Sequence, residues 1–487
     1  MPNGLMQLGP IVLLLGAIAL VITRLPKVDV GHSPAFLRRR FLNWFPVGLT
    51  YAFLYMARYN LSVAKDLLDP RLFSKEDFGT VFAVGTLTYG FSFVVNGPLT
   101  DKLGGRKTIL MAAAGAIVAN VCLGAMIVHG MALVGALPPD AKFVRPGYLL
   151  PSLSALYALN MYFQSFGAVS IVKINSAWFH LKERGTFGGI FGILISLGVY
   201  FAYDWGRKIG EGISKPAMFF IPSGLLAILS VWLFFMARDT PEKAGFEDFD
   251  TGDAKYEVDE SLSSFQRVLV VAKSMLRNRI ILTIAAIEFC SGYLRNAIMQ
   301  WYMSYASAIG AFTKAKGGVP ALGEFVPRNW GLMLCLAGIF GGMFAGIISD
   351  RIFQSRRGPV SAVLYGMMVL GTLAMFPLLG SPSLGVLAVF LSMCFIGVHG
   401  MLSGTASMDF GGKQNVGIAV GIIDGFVYLG TGLESLILGK VLPKADLAKN
   451  AANWTPWPVV MLPASVLGFL LALTLWNAKP TRAGSGH

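Results

Sequence analysis

Residues 97–107 read GPLTDKLGGRK, and residues 346–358 read GIISDRIFQSRRG. Each stretch follows a long apolar run. Each places an Asp four residues after a Gly and directly before a basic residue (Asp101 before Lys102, Asp350 before Arg351), and then returns two basic residues within seven positions of that Asp (Arg106 and Lys107; Arg356 and Arg357). The same short basic connection appearing twice reads as an internal repeat. Repeated halves around a midplane site are a known logic of membrane carriers.

Outward from these loops the chain is apolar. Of 487 residues, 55% are hydrophobic and 14% charged, and the mean hydropathy is +0.63. A soluble domain carries roughly 25% charged residues, so lipid must cover part of this surface. A membrane helix needs about 20 mostly apolar residues. Thirteen candidate spans fall near 6–23, 42–64, 79–99, 108–129, 148–171, 186–204, 216–236, 279–309, 330–348, 358–379, 384–407, 415–439 and 457–476. These runs are longer than β-barrel strands and lack strict alternation, so helices are expected.

The formal charge of +14 would suit a nucleic-acid binder, but its placement does not. Arg24, Lys27 and Arg38 to Arg40 precede the second span, Lys102, Arg106 and Lys107 follow the third, Lys182 and Arg184 follow the fifth, Arg267, Lys273, Arg277 and Arg279 precede the eighth, and Arg351, Arg356 and Arg357 follow the ninth. Every second loop is basic, which is the positive-inside pattern of a polytopic protein and makes those loops cytoplasmic. No Lys or Arg precedes the first span, so residues 6–23 are expected to be a retained helix with its N-terminus outside. Its apolar run shows no polar face, so contact with lipid or with a protein partner is open to it.

The expected organisation is an extra helix and basic linker over 1–40, a six-helix half over 41–237, a cytoplasmic hinge loop over 238–278 and a second six-helix half over 279–487. The hinge holds the one long acidic polar stretch, RDTPEKAGFEDFDTGDAKYEVDESLSS, of linker composition. Gly-rich segments such as GTFGGIFG and GIAVGIIDGFVYLGTG suit close helix packing in lipid. The four cysteines fall inside spans without metal-ligand spacing, so neither zinc nor a disulfide framework is expected. No P-loop, G-x-S-x-G or H-E-x-x-H occurs, and the chain reads as neither an enzyme nor a cofactor binder.

Charges inside spans carry the chemistry, because each costs roughly 2.5–3.5 kcal/mol on insertion scales. Arg58 and Arg295 lie deep in the first core helix of each half. A pair of guanidiniums, one per half, would clamp an oxyanion such as phosphate. Tyr51, Tyr55 and Arg58, spaced i, i+4, i+7, share one helix face. Glu288 shares the face of Arg295 and, with Asp424, is a candidate for ion pairing or proton coupling; Glu434 is expected to be structural. Asp101, Arg106, Asp350 and Arg351 are expected to pair helices across the basic loops and so to affect switching. His399 is read as a packed residue.

GPLTDKLGGRK resembles the signature loop of the major facilitator superfamily. The pattern Tyr51, Tyr55, Arg58, the partial match of Arg295 and Trp301 to an Arg followed by an acid–Trp pair, WFHLKERG (178–185) and ASMDFGGKQNVGIAVGIIDGFVYLG (406–430) are similar to the organophosphate:phosphate antiporters, over roughly residues 40–477. That resemblance implies an all-α major facilitator fold of two six-helix halves, here with one extra N-terminal helix. It further implies alternating-access exchange of an organic phosphate for inorganic phosphate in a bacterial inner membrane, and Tyr428 lining the cavity. Phe93 stands where the glycerol-3-phosphate members carry Lys, Ile195 near a family histidine, and Gln300 in place of the acid, which favours a larger or more apolar organic anion. The alternatives are a membrane receptor for such an anion, as some family members are, and a proton-coupled carrier of a non-phosphate solute.

Overall fold

The computed structural model describes residues 31–136, 144–180, 184–247, 275–310, 322–353 and 357–477, with a few isolated positions besides. The first expected span, most of the hinge loop and residues 181–183 lie outside the described residues, as do the side chains of Asp350 and Arg351. The described chain is helical. Before the hinge come α1 (Pro34–Leu67), α2 (Lys75–Leu103), α3 (Gly105–Gly135), α4 (Leu149–Trp178), α5 (Arg184–Tyr200), a π-helical turn (Phe201–Trp205), α6 (Gly206–Gly212) and α7 (Ala217–Met236). After it come α8 (Arg279–Ala308), α9 (Leu322–Arg328), α10 (Trp330–Ile352), α11 (Arg357–Leu378), α12 (Ser383–His399), a second π-helical turn (Gly400–Gly404), α13 (Thr405–Val441) and α14 (Pro456–Thr474).

Helix starts follow local chemistry. Ser33 accepts from the Phe36 N–H at 3.2 Å and Pro34 opens α1, where a missing N–H costs nothing. Ser74 and Asp77 form a reciprocal capping box at the start of α2. Among the described residues nine helices are long and apolar enough to cross a membrane. Phe91, Val95, Ile228 and Leu370 are all more than 60% exposed; such a belt of large apolar side chains suits contact with lipid tails.

One expected boundary differs. The polar stretch 408–414 was expected to be a loop between two spans, but it lies inside the 37-residue helix α13. Hydropathy marks where a chain leaves the apolar layer. It does not mark where backbone hydrogen bonding stops, because a helix satisfies its own N–H and C=O groups in either medium.

The N-terminal helices meet the C-terminal ones along two seams, α2 against α13 and α5 with its π turn against α10. The first seam depends on glycine: a Cβ on Gly79 would stand 2.8 Å from both Gly439 Cα and Ser435 O. Gly79→Val is therefore expected to lower the thermal midpoint of the purified protein, with an overpacking cost of about 1–3 kcal/mol. Gly224→Ala, whose added methyl meets open space, serves as the control and should leave the midpoint unchanged or slightly raised. Equal midpoints for the two variants would refute the close crossing.

Candidate functional site

The periodicity of α1 brings Tyr51, Tyr55 and Arg58 together as expected. The Tyr51 and Tyr55 rings meet edge to face at 5.1 Å, and the Arg58 guanidinium lies over the Tyr55 ring at 4.6 Å. Arg58 is 1% exposed. Its Nε donates to Gln164 Oε1 at 2.9 Å, Nη1 to the Tyr428 hydroxyl at 3.1 Å and Nη2 to the Tyr89 hydroxyl at 2.8 Å. Every one of these acceptors is neutral. Tyr428 comes from α13, so a C-terminal helix completes the shell of an N-terminal charge; its ring also packs on Tyr89 at 4.2 Å.

Gln164 is oriented by a chain of amides. Its Nε2 donates to Asn160 Oδ1 at 2.9 Å, and Asn160 and Asn120 each donate to the Ala57 carbonyl at 3.0 Å. Asn60 donates in turn to Asn120 Oδ1 at 2.7 Å. With the amide nitrogen of Gln164 turned to Asn160, its carbonyl oxygen is left for Arg58. Sequence reasoning missed Gln164, Asn160 and Tyr89. The available signal was a pair of amides at i, i+4 in an apolar run of α4, an expensive placement unless both are bonded.

Arg295, on α8, is half-buried. Among the described residues it has no hydrogen bond or ion pair; its electrostatic neighbours are Tyr428, Tyr59, Tyr55 and Glu288. Glu288 was a candidate partner for an arginine, but its Oε2 accepts from His399 Nδ1 at 2.9 Å instead. His399, expected to be simply packed, is 26% exposed at its side chain. Asp424 is half-buried one turn before Tyr428. Of the expected switch residues, Asp101 pairs with Lys173 at 2.7 Å. The backbone N–H of Arg106 donates to Asp239 at 2.7 Å and its Nη2 to the Phe234 carbonyl at 2.5 Å. These contacts tie N-terminal helices to one another at the basic end.

Trp301 does not join Arg58 and Tyr428. It is fully buried nearer the opposite end, where its Nε1 donates to Glu434 Oε1 at 2.8 Å. Asn296 also donates to Glu434. Lys65 of α1 lies over the Trp301 ring at 4.3 Å and donates to the Gln300 carbonyl at 2.5 Å. Further bonds close this end across the two groups of helices: Ser304 to Asp66 at 2.7 Å, Tyr203 to the Met299 carbonyl at 3.1 Å, and the ion pair of Lys444 with Glu76. Most telling is Asp204, in the first π turn. It accepts from Gly331 N at 2.7 Å and Leu332 N at 3.0 Å. The N-cap residue of α10, Asn329, makes no side-chain cap bond, so α10 takes its cap from an N-terminal helix. A Cβ on Gly331 would stand 2.9 Å from that carboxylate.

This arrangement of helices and seams has known counterparts. Residues 47–433 match the family model described as Major Facilitator Superfamily. The chain belongs to that superfamily. It is a polytopic integral membrane protein, and its curated relatives are bacterial. This superfamily member is 24% identical to a glycerol-3-phosphate transporter of Bacillus subtilis over 92% of its own length and 95% of the relative's. It is 26% identical to the membrane sensor protein UhpC of Salmonella typhimurium (95% and 96%) and 22% identical to a probable hexose phosphate transport protein of Chlamydia trachomatis (92% and 94%). Among solved structures, a bacterial homologue of the lysosomal transporter Spinster, in an inward-facing and unoccupied conformation, superposes with TM-score 0.63 at 12% identity, covering 93% of this chain and all of the other. The nucleoside transporter NupG does so with TM-score 0.56 at 15% identity, covering 90% and 98%.

The Asp204 cap can be tested with a native reporter. Cys335 is fully buried beside Tyr200 and Leu332. In protein whose other cysteines are replaced by Ser, Asp204→Ala is expected to raise labelling of Cys335 by a membrane-impermeant maleimide roughly tenfold, since a hydrogen bond to a charged group contributes about 1.5–3 kcal/mol. Unchanged labelling would mean that the cap does not hold the end shut.

Proposed function

We propose that this protein is a secondary transporter that exchanges an organic phosphate, or a related organic anion, for inorganic phosphate by alternating access. The observation that carries the reading is the pair of midspan guanidiniums, neither of which forms an ion pair or hydrogen bond with a carboxylate among the described residues. Arg58 is buried among neutral oxygens, and Arg295 stands across the same tyrosines, Tyr55, Tyr59 and Tyr428. A buried cation costs several kcal/mol unless paired. A phosphate between the two would supply the missing charge and accept bidentate bonds from each fork. Tyr51, Tyr55 and Tyr428 would border that anion. Trp301 acts instead through the closed end, with Lys65 and Glu434.

Exchange follows from the same charges. Switching requires the two groups of helices to separate at the closed end and meet at the basic one. Tyr428 would then leave Arg58 unless an anion held both. Since a ligand shifts an equilibrium only by binding the two states differently, the anion that neutralises the arginines favours the switch and the empty carrier resists it. The likenesses to transporters of glycerol-3-phosphate and hexose phosphate support this substrate class. The likeness to a membrane sensor favours, as second reading, a receptor for the same anion.

The test is phosphate counterflow. Protein in vesicles loaded with unlabelled phosphate should concentrate labelled phosphate. Arg58→Lys and Arg295→Lys should each lose on the order of 100-fold in rate, because Lys replaces a planar fork by a point charge and loses two charge-assisted bonds. Near-normal exchange in either variant would sink the clamp. Absent exchange in folded wild-type protein, with thermal stabilisation by organic phosphates retained, would select the receptor.

A further inference from the structure

Beyond the two arginines, one polar pair faces the interior and has no role in the clamp. Glu288 is fully buried on α8, two turns before Arg295 and on the same face. Its Oε2 accepts from His399 Nδ1 at 2.9 Å, while its Oε1 is buried with no partner among the described residues. A carboxylate packed only for structure normally has both oxygens satisfied.

His399 does not look out at lipid. On α12 the exposed apolar face is marked by Val386 and Phe390. At roughly 100° per residue, His399, nine residues beyond Phe390, lies about half a turn away from that face. Its partial exposure is therefore to space between helices. Immediately after it the helix widens into the π turn Gly400–Gly404, a distortion that clusters at functional positions. With Nδ1 bonded to Glu288, Nε2 is the ring nitrogen left to meet a polar group in that space.

Resting on the anion-exchange reading, we propose that the Glu288–His399 pair recognises hydroxyl groups on the organic part of the substrate while Arg58 and Arg295 hold its phosphate. The chemistry selects this ligand. A second anion would be repelled by the Glu288 carboxylate, and an apolar tail would leave Nε2 unbonded. A hydroxyl, both donor and acceptor, bonds Nε2 without that repulsion. The position sets the size. Seven residues of α8 separate Glu288 from Arg295, about 10 Å along the axis toward the basic end. A six-carbon polyol phosphate spans that separation better than a three-carbon one. His399 is then a specificity-determining residue and Glu288 a positioning residue that fixes its tautomer.

The experiment uses reconstituted full-length protein, with inorganic phosphate, glycerol 3-phosphate and glucose 6-phosphate as competitors of labelled phosphate counterflow. Wild type should be inhibited by glucose 6-phosphate at lower concentration than by the other two. His399→Ala should erase at least about tenfold of that advantage, measured as a ratio within the same protein; His399→Gln, which retains an acceptor, should keep part of it, and Glu288→Gln should lose most. The shift of thermal midpoint produced by each competitor gives the same ratio without requiring exchange. Should His399→Ala fail to fold, the Gln variants carry the comparison. An unchanged ratio, or equal weakening of all three competitors, overturns the proposal. Loss of phosphate counterflow in wild type overturns the exchange reading instead, and the stabilisation ratios then still decide the role of His399.

Discussion

A guanidinium buried in the middle of an apolar layer must be compensated, and among the described residues Arg58 is compensated by neutral oxygens and no carboxylate. Much of the structure around it follows from that constraint. Two tyrosine hydroxyls and one amide carbonyl take three of its N–H groups, and the amide has to be turned correctly, which is why Gln164, Asn160, Asn120 and Asn60 form a continuous chain. Neutral oxygens solvate a cation but leave its charge in place. On the exchange reading, that remaining charge is what an anion would meet. Because Tyr428 belongs to the C-terminal helices, the quality of this shell depends on how the two groups of helices are placed.

The two ends of the molecule are built differently. At the basic end the bonds of Asp101 and Arg106 tie N-terminal helices together. At the other end Lys65, Asp66, Tyr203 and Asp204 all reach C-terminal partners. Capping α10 with an aspartate from another helix makes helix termination conditional on closure. Parting the two groups would leave backbone N–H groups and a carboxylate to be satisfied by water. Such contacts are directional and few, so they can break cooperatively. The glycine crossing of α2 and α13 contributes close packing of two helix backbones.

Particular residues mark what could be read in advance. The shared face of Tyr51, Tyr55 and Arg58 was legible because it is a property of one helix and its period. The depth of Arg295 was legible because insertion cost makes a midspan charge conspicuous. The partner of Glu288 was not: Arg295 is the nearest candidate along α8, yet the bond goes to His399 on α12. Trp301 was grouped with the binding residues because, with Arg295, it partly matches an antiporter motif, and its indole is instead directed to Glu434. The stretch 408–414 looked like a loop from its polarity, although a helix can leave the membrane without ending.

The sequence by itself determined that this chain is a helical membrane protein of repeated design, which loops are basic, and which helices carry charge inside the apolar layer. These follow from composition, hydropathy and period, each a local property of one segment in one solvent. The tertiary structure alone decided which side chains meet: Tyr428 with Arg58, His399 with Glu288, Asp204 with the start of α10. Those pairings depend on the rotation and axial register of one helix against another. Inside the apolar layer the register is set by close packing of small residues such as Gly79 and Gly439, and many registers share the same hydropathy.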